Sequence, residues 1–297
     1  MRPRPLPTAL LIAAALLAFV AFDQSHWWRV KDDYGFGWLA PVFVAFVIRE
    51  RWPAIVGCAN APASAAPVNW VARIGGGLLF LGGALLFLLG AFYRAGAGPS
   101  QPGTLAITLG AIGLIVPLLA ANTPAGSRRR LLGLVTFPVL IWLISAPMVS
   151  VVESRVNLLL LRHVVNVVAA TFTILGLPIE QHGNVLALPT GNVGVEEACS
   201  GIRSLTACLF AGSFLAAVFL DRAWKKVALV VAAALFAVFT NVLRSLFLTA
   251  WAYRHGPAAI EGFIHDAAGY AVLALTTLGL LVLVGIMGRK EDAANGH

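Results

Sequence analysis

The stretch VALVVAAALFAVFTNVLRSLFLTAW, Val227–Trp251, determines the fold of this chain. It contains no acidic residue and no proline, and Arg244 is its one charged side chain. A helix of about 20 apolar residues crosses the hydrocarbon core of a bilayer, so the stretch predicts a membrane-spanning helix. An arginine inside such a helix is costly unless it faces protein or water. Arg244 is therefore also the first candidate functional residue.

Apolar runs of similar length recur along the chain and predict an all-α, polytopic bundle of about eight spans. Hydrophobic residues make up 59% of the 297 residues and charged residues 11%, whereas soluble domains carry about 25% charged residues. This composition excludes a separate soluble domain. The predicted spans are Leu6–Phe22, Phe36–Ile48, Trp70–Phe92, Thr104–Ala121, Leu131–Val151, Cys199–Leu220, Val227–Trp251 and His265–Met287.

The basic residues predict the orientation of the bundle. Eight spans place both termini on one side, and the loops on that side hold 13 of the 21 lysines and arginines. The positive-inside rule then puts both termini in the cytoplasm. The first span resembles a signal peptide, but Asp23–His26 offers no small-residue cleavage site, so we expect a retained helix. The net charge of +8 therefore reflects membrane orientation, and we expect no nucleic-acid partner.

The segment 152–198 interrupts the pattern and is predicted to lie outside. Its apolar residues around 156–177 favour an amphipathic helix, either lying on the membrane or packed against the bundle. A β-prone piece at Asn184–Leu188 and a turn at Pro189–Asn192 follow. Glycine and proline at such positions are typical of turns, so a small hairpin or lid is expected before the sixth span.

Three polar residues are predicted to share one depth at the outer, periplasmic face. Cys199 begins the sixth span and His265 begins the eighth. Arg244 lies 18 residues after Lys226, which marks the inner end of its helix. That separation is about 27 Å of helix against a core of roughly 30 Å. The site is therefore expected where the outer ends of these helices meet.

These residue types form a chemically sensible set. A cysteine attacks carbonyl carbon as its thiolate, which a helix N-terminus favours. A neutral His265 can take the proton, and Arg244 can stabilise the oxyanion. Arg203, four residues after Cys199, is expected on the same helix face. The set indicates acyl transfer through a covalent cysteine intermediate.

Other histidines keep the choice of base open. His255, on the loop beside Gly256–Pro257, is the main rival of His265. The remaining predicted outside histidines are His26, His163 and His182.

Three short motifs resemble those of the exosortase/archaeosortase family. Glu197–Ser204 (EACSGIRS) resembles the family's cysteine motif, Asn241–Arg244 (NVLR) its arginine motif, and Gly262–Asp266 (GFIHD) its histidine motif. The resemblance covers roughly residues 131–288, and the first 130 residues match only as hydrophobic spans. It implies N-terminal transmembrane helices at 1–130, a catalytic core at 131–288 and a cytoplasmic tail at 289–297.

The resemblance also implies an activity. Family members are membrane cysteine proteases and transpeptidases, here with Cys199, Arg244 and His265 as catalytic residues. Their substrates are exported proteins with a C-terminal sorting signal: a short motif often containing Pro-Glu-Pro, a transmembrane helix and a basic tail. The implied setting is the inner membrane of a Gram-negative bacterium that makes exopolysaccharide. The acceptor nucleophile stays unknown, and we expect no cofactor and no metal.

Five neighbouring residues are expected to support the site: Glu196, Glu197, Arg203, Asn241 and Asp266.

Two other interpretations of the function stay open. One is a polytopic transporter or lipid-handling protein with Arg244 on its substrate path, although no internal repeat of the kind common in transporters is visible. The other is a non-catalytic assembly factor that keeps the same fold.

Overall fold

A computed structural model describes residues 5–61, 70–194 and 201–294. Helices dominate these residues, and the predicted all-α polytopic fold is confirmed. The helices are α1 Pro5–Val30, α2 Leu39–Ala59, α3 Trp70–Ala97, α4 Gln101–Ala121, α5 Arg128–Ser145, α6 Ser150–Ile174, α7 Ile202–Phe219, α8 Ala223–His255 and α9 Phe263–Ala294. The strands are β1 Glu180–His182, β2 Val185–Leu188 and β3 Gly191–Gly194.

Seven of the described helices are long and apolar enough to cross a membrane: α1, α3, α4, α6, α7, α8 and α9. All of them except α6 coincide with predicted spans. The second and fifth predicted spans form α2 and α5, which are not among the seven. Each carries a cluster of charged residues, Arg49–Arg51 in α2 and Arg128–Arg130 in α5.

The helix α6 is the segment that the sequence predicted to be amphipathic. It is the least apolar of the seven helices that could cross a membrane. Its second half packs inside the bundle, where Val164, Val165 and Val168 are buried in one cluster with Leu248 of α8 and Ala268 of α9. Of the two predicted arrangements, packing against the bundle is therefore the one observed.

The chain divides into two compact units, Met1–Val149 and Ser150–His297. The first contains α1–α5, and the second contains α6–α9 with the three strands. The boundary differs from the sequence-based division at residue 130, because α5 packs with α1, α2 and α4 in the first unit. At the C-terminal side of the second unit, the helix α9 continues to Ala294 and so includes most of the tail predicted at 289–297.

Buried polar side chains join the helices of the first unit. Gln24 of α1 donates to Thr108 Oγ1 of α4 at 2.9 Å and to the Trp142 carbonyl of α5 at 3.1 Å. Ser145 Oγ donates to Gln24 Oε1 at 2.8 Å. Asp23 pairs with Arg94 of α3. Such contacts satisfy polar groups that the bilayer cannot hydrate.

In the second unit α7, α8 and α9 pack together. Gly212 lets α7 approach α8, since a Cβ there would lie 2.5 Å from Ala233 Cβ. Thr240 Oγ1 and Thr276 Oγ1 link α8 to α9 at 3.1 Å. At the opposite end from the candidate site, Lys225 Nζ donates to the Met287 carbonyl at 2.7 Å.

The three strands form an antiparallel sheet in the order β1-β2-β3. The register pairs Leu186 with Val193 and Leu188 with Gly191. One face packs on the end of α8, where Leu188 and Val193 are buried with Ala252. The predicted hairpin before the sixth span is thus observed as a three-stranded sheet over the end of α8.

Candidate active site

Arg244 and His265 meet between α8 and α9. Arg244 Nη2 lies 2.8 Å from His265 Nε2 and 3.5 Å from the His265 carbonyl oxygen. Both side chains are partly buried. His265 stands in the first turn of α9, and Arg244 lies about 27 Å along α8 from Lys226 at 1.5 Å per residue. The structure therefore brings together two of the three residues that the sequence singles out.

The hydrogen bond between them fixes the form of the imidazole. A guanidinium group has only donors, whereas an imidazole nitrogen accepts only when it carries no proton. In this arrangement Nε2 is the acceptor, so the His265 ring is neutral with its proton on Nδ1. A ring in this form can take up a proton at Nε2 once Arg244 moves its donor to another acceptor.

Gly269 lies beside the guanidinium group of Arg244. It follows His265 by one helical turn and so lies on the same face of α9. A Cβ at this position would lie 3.6 Å from Arg244 Nη2 and 3.8 Å from Cζ. Sequence reasoning assigned Gly269 no role. Its spacing of four residues after His265 in an apolar helix was the available signal.

Asn241 connects α8 to the start of α7. Its side chain is 2% exposed. A Cβ on Gly201 would lie 3.0 Å from Asn241 Nδ2 and 3.4 Å from Cγ. Gly201 has a φ of +80° and forms the N-cap of α7, which is a conformation that glycine adopts readily. Because Asn241 precedes Arg244 by three residues, both side chains lie on one face of α8.

Three predicted site residues, Glu196, Glu197 and Cys199, lie outside the described residues, and Cys199 is two residues from Gly201. The helix α7 begins at Ile202, and the expectation that Arg203 shares a helix face with Cys199 concerns a residue outside the described ones. Arg203 itself is exposed in the first turn of α7.

The rival base, His255, has a different environment. Its ring stacks on Trp251 with centroids 4.5 Å apart, and its Nδ1 lies 3.2 Å from the Trp251 carbonyl oxygen. It is exposed at the end of α8, about 16 Å beyond Arg244 at 1.5 Å per residue. His255 therefore lacks the arginine contact that distinguishes His265.

The other predicted outside histidines also have neighbours of their own. The His26 ring packs edge-on against Trp27 with centroids 5.1 Å apart. His182 Nε2 lies 3.3 Å from Glu180 Oε2 on the exposed strand β1. His163 and Asp266 are exposed on α6 and α9. Among the described residues, no three histidine, cysteine, aspartate or glutamate side chains are grouped so that they could hold a metal.

Comparison with known families adds to this geometry. The family model of transmembrane exosortases (Exosortase_EpsH) matches residues 27–282. The chain belongs to the transmembrane exosortase family. The match begins within α1 and ends within α9, so it extends well beyond the 131–288 region in which the motifs had suggested the resemblance. No curated protein and no solved structure matches the chain.

Proposed function

We propose that this exosortase is a membrane-embedded cysteine protease and transpeptidase that cleaves C-terminal sorting signals of exported proteins. The observation that carries the proposal is the 2.8 Å contact between Arg244 and His265 at the outer end of α8 and α9. Family membership supports the same reading. The proposed setting is the bacterial inner membrane, with both termini cytoplasmic and the site at the periplasmic face.

Chain connectivity supports a position for Cys199 close to this pair. Two residues span at most about 7 Å, so the Cys199 backbone lies within that distance of Gly201. Gly201 contacts Asn241, which precedes Arg244 by about 4.5 Å of helix. The proposal requires that the Cys199 thiol reach a substrate carbonyl that also faces Arg244 and His265.

The proposed reaction has two acyl-transfer steps. The Cys199 sulfur attacks the scissile carbonyl carbon, and the proton of the thiol passes to His265 Nε2. Arg244 turns its Nη donors from His265 to the oxyanion, which frees Nε2 at the moment when it must accept a proton. The C–N bond then breaks, and His265 protonates the leaving amine.

The second step releases the thioester. Water or an acceptor nucleophile attacks the carbonyl carbon, loses its proton to His265 and displaces the Cys199 thiolate. Arg244 stabilises the second oxyanion in the same way. Glu196, Glu197, Arg203, Asn241 and Asp266 are proposed as supporting residues, and the sheet β1–β3 as a cover over the cleft.

Substitution of single cysteines tests the function. A reporter with a C-terminal sorting motif, transmembrane helix and basic tail is co-expressed with wild type, Cys199→Ala or Cys208→Ala. Cys208 is a buried cysteine of α7, so it is a matched control within the same segment. We expect loss of processing only with Cys199→Ala. Processing that survives Cys199→Ala in a folded protein contradicts the assignment of Cys199 as the nucleophile.

A further inference from the structure

Gly201 stands at the junction between the segment of the proposed nucleophile and the helix α7. Its φ of +80° is left-handed, and a Cβ would meet both Asn241 at 3.0 Å and the Leu160 side chain of α6 at 3.7 Å. Left-handed backbone alone is unfavourable for an ordinary residue. The contact with Asn241 is a second restriction, because this side chain is 2% exposed and has little room to move.

Five of the six other described glycines with positive φ lack that second restriction, and the sixth, Gly191, would place a Cβ 3.1 Å from the apolar ring of Pro257. Gly98 has a φ of +83°, and a Cβ there would meet nothing within 4 Å. Gly176, Gly256 and Gly262 are also left-handed with open space around them. A turn alone therefore explains these glycines, whereas Gly201 must also leave a place for one particular polar side chain.

Gly201 and Asn241 are each close in sequence to a proposed catalytic residue. Gly201 is two residues from Cys199, and Asn241 is three residues from Arg244 on one face of α8. Arg244 in turn contacts His265 on α9. Gly201 beside Asn241 therefore places the residue just before α7, two residues after Cys199, against the helix that carries Arg244.

We propose that Asn241 is a positioning residue, which holds the Cys199 segment at a fixed distance from Arg244 by packing against Gly201. This inference rests on the proposed function and adds a role for Asn241 and Gly201 that the chemistry alone does not assign. If the Cys199 segment is displaced, the thiol is still present but is misplaced relative to Arg244. We therefore expect kcat to fall, because the substrate still binds.

The test compares Gly201→Ala, Asn241→Ala and the double variant, with Gly98→Ala as the control for left-handed backbone. Each variant is measured for thermal unfolding and for processing of the reporter that carries the C-terminal sorting motif, transmembrane helix and basic tail (the tripartite-tailed reporter). We expect each single variant at the site to lower kcat by about 10- to 100-fold with KM nearly unchanged, as an ångström-scale misplacement does. The double variant is expected to be no slower than the slower single variant, because Asn241→Ala removes the side chain that the added methyl group would meet. Gly98→Ala is expected to keep the wild-type rate.

A second readout does not depend on the substrate. In a Cys58→Ser, Cys208→Ala background, Cys199 is the remaining cysteine, and its alkylation rate is followed against pH. We expect Gly201→Ala and Asn241→Ala to change this pH profile and Gly98→Ala to leave it unchanged.

The outcomes separate the two proposals. Wild-type kcat and pH profile in both site variants contradict the positioning role, and so do losses that multiply fully in the double variant. If Cys199→Ala still processes the reporter, the proposed function fails instead. A changed alkylation profile in the site variants would then still support the positioning of Cys199 by Asn241.

Discussion

Arg244 holds two groups of His265 at once, the ring nitrogen at 2.8 Å and the backbone carbonyl at 3.5 Å. Both contacts are made by Nη2. The planar guanidinium carries further N–H donors on Nη1 and Nε in a fixed geometry, whereas a lysine ammonium is a point charge on a flexible stem. The residue is therefore suited to move from His265 to an oxyanion without losing its hydrogen bonds.

The first prediction concerns the shape of this donor. Arg244→Lys keeps the charge but loses the fork, so we expect kcat for reporter processing to fall by about 100-fold or more, as loss of an oxyanion donor does. Thermal unfolding of the purified protein serves as the control for folding. Near wild-type kcat in Arg244→Lys would show that the charge alone is sufficient.

The second prediction separates the two histidines. His265→Ala removes the group that contacts Arg244 and is expected to abolish processing. His255→Ala removes a ring stacked on Trp251 and is expected to leave processing within about twofold, as for a surface change. The opposite result in the same reporter assay would move the base to His255.

The third prediction concerns Gly269. An alanine there meets Arg244 at 3.6 Å, an ordinary contact, so we expect Gly269→Ala to stay active. The extra methyl groups of Gly269→Val reach into the guanidinium, and we expect a fall in kcat of about tenfold or more. Gly285→Val is the matched control, because Gly285 lies on the same helix with nothing within 4 Å. Equal rates for the two valine variants would contradict the steric argument.

Single residues differ in how clearly the sequence reveals them. Arg244 and His265 could be predicted because each is a rare residue type in an apolar run, where an ionisable side chain is costly and usually has a functional role. Gly269 and Gly201 could not be assigned, since glycines are frequent in membrane helices. Their roles depend on a side chain from another helix, which one sequence does not specify.

At the scale of elements, α5 contains a proline that leaves a backbone carbonyl without its helical donor, and another helix supplies a donor in its place. Pro138 has no N–H, so the Leu134 carbonyl four residues earlier loses its helical donor. Arg51 Nη1 of α2 donates to this carbonyl at 2.7 Å. A neighbouring side chain thus satisfies the backbone group that the bilayer could not. The contact ties α2 to α5 within the first unit.

The fourth prediction tests this tie. Arg51→Met leaves the Leu134 carbonyl without that donor, and we expect a loss of about 1–3 kcal/mol in the free energy of unfolding. In a Pro138→Ala background the helix supplies its own N–H, so the same change should cost less. Arg49→Met, at an exposed position, is the control. Equal costs of Arg51→Met in both backgrounds would contradict the account.

The elements also show where sequence patterns leave a choice open. The apolar residues around 156–177 allowed α6 to lie on the membrane or to pack against the bundle, and its valines pack with α8 and α9. Charge on one face of a helix does not reveal whether the opposite face meets lipid or protein. The hairpin over 184–192 was predictable because its turn residues act locally.

At the scale of the whole molecule, the number of membrane crossings decides where the site lies. Both termini in the cytoplasm require an even number, as in the eight predicted spans. Seven of the described helices could cross, with α6 among them and α2 and α5 not, and seven crossings would put the termini on opposite sides. The distribution of lysine and arginine favours the even number.

The fifth prediction tests this topology. Reporters that are active only outside or only inside the inner membrane are fused to either terminus and inserted at 256–262, between α8 and α9. We expect both termini to report cytoplasm and the insertion to report periplasm. Termini on opposite sides would contradict the even number and indicate an odd one, as with the seven described helices that are long and apolar enough to cross.

The central claim is that Cys199 carries the substrate as a thioester between the two chemical steps. The most direct measurement is mass spectrometry of the exosortase after reaction with the tripartite-tailed reporter, with peptide mapping of any adduct. The account predicts a hydroxylamine-sensitive adduct of the reporter's new C-terminus on Cys199, absent from Cys199→Ala. Continued processing with no adduct on Cys199, or an adduct on another residue, would contradict it.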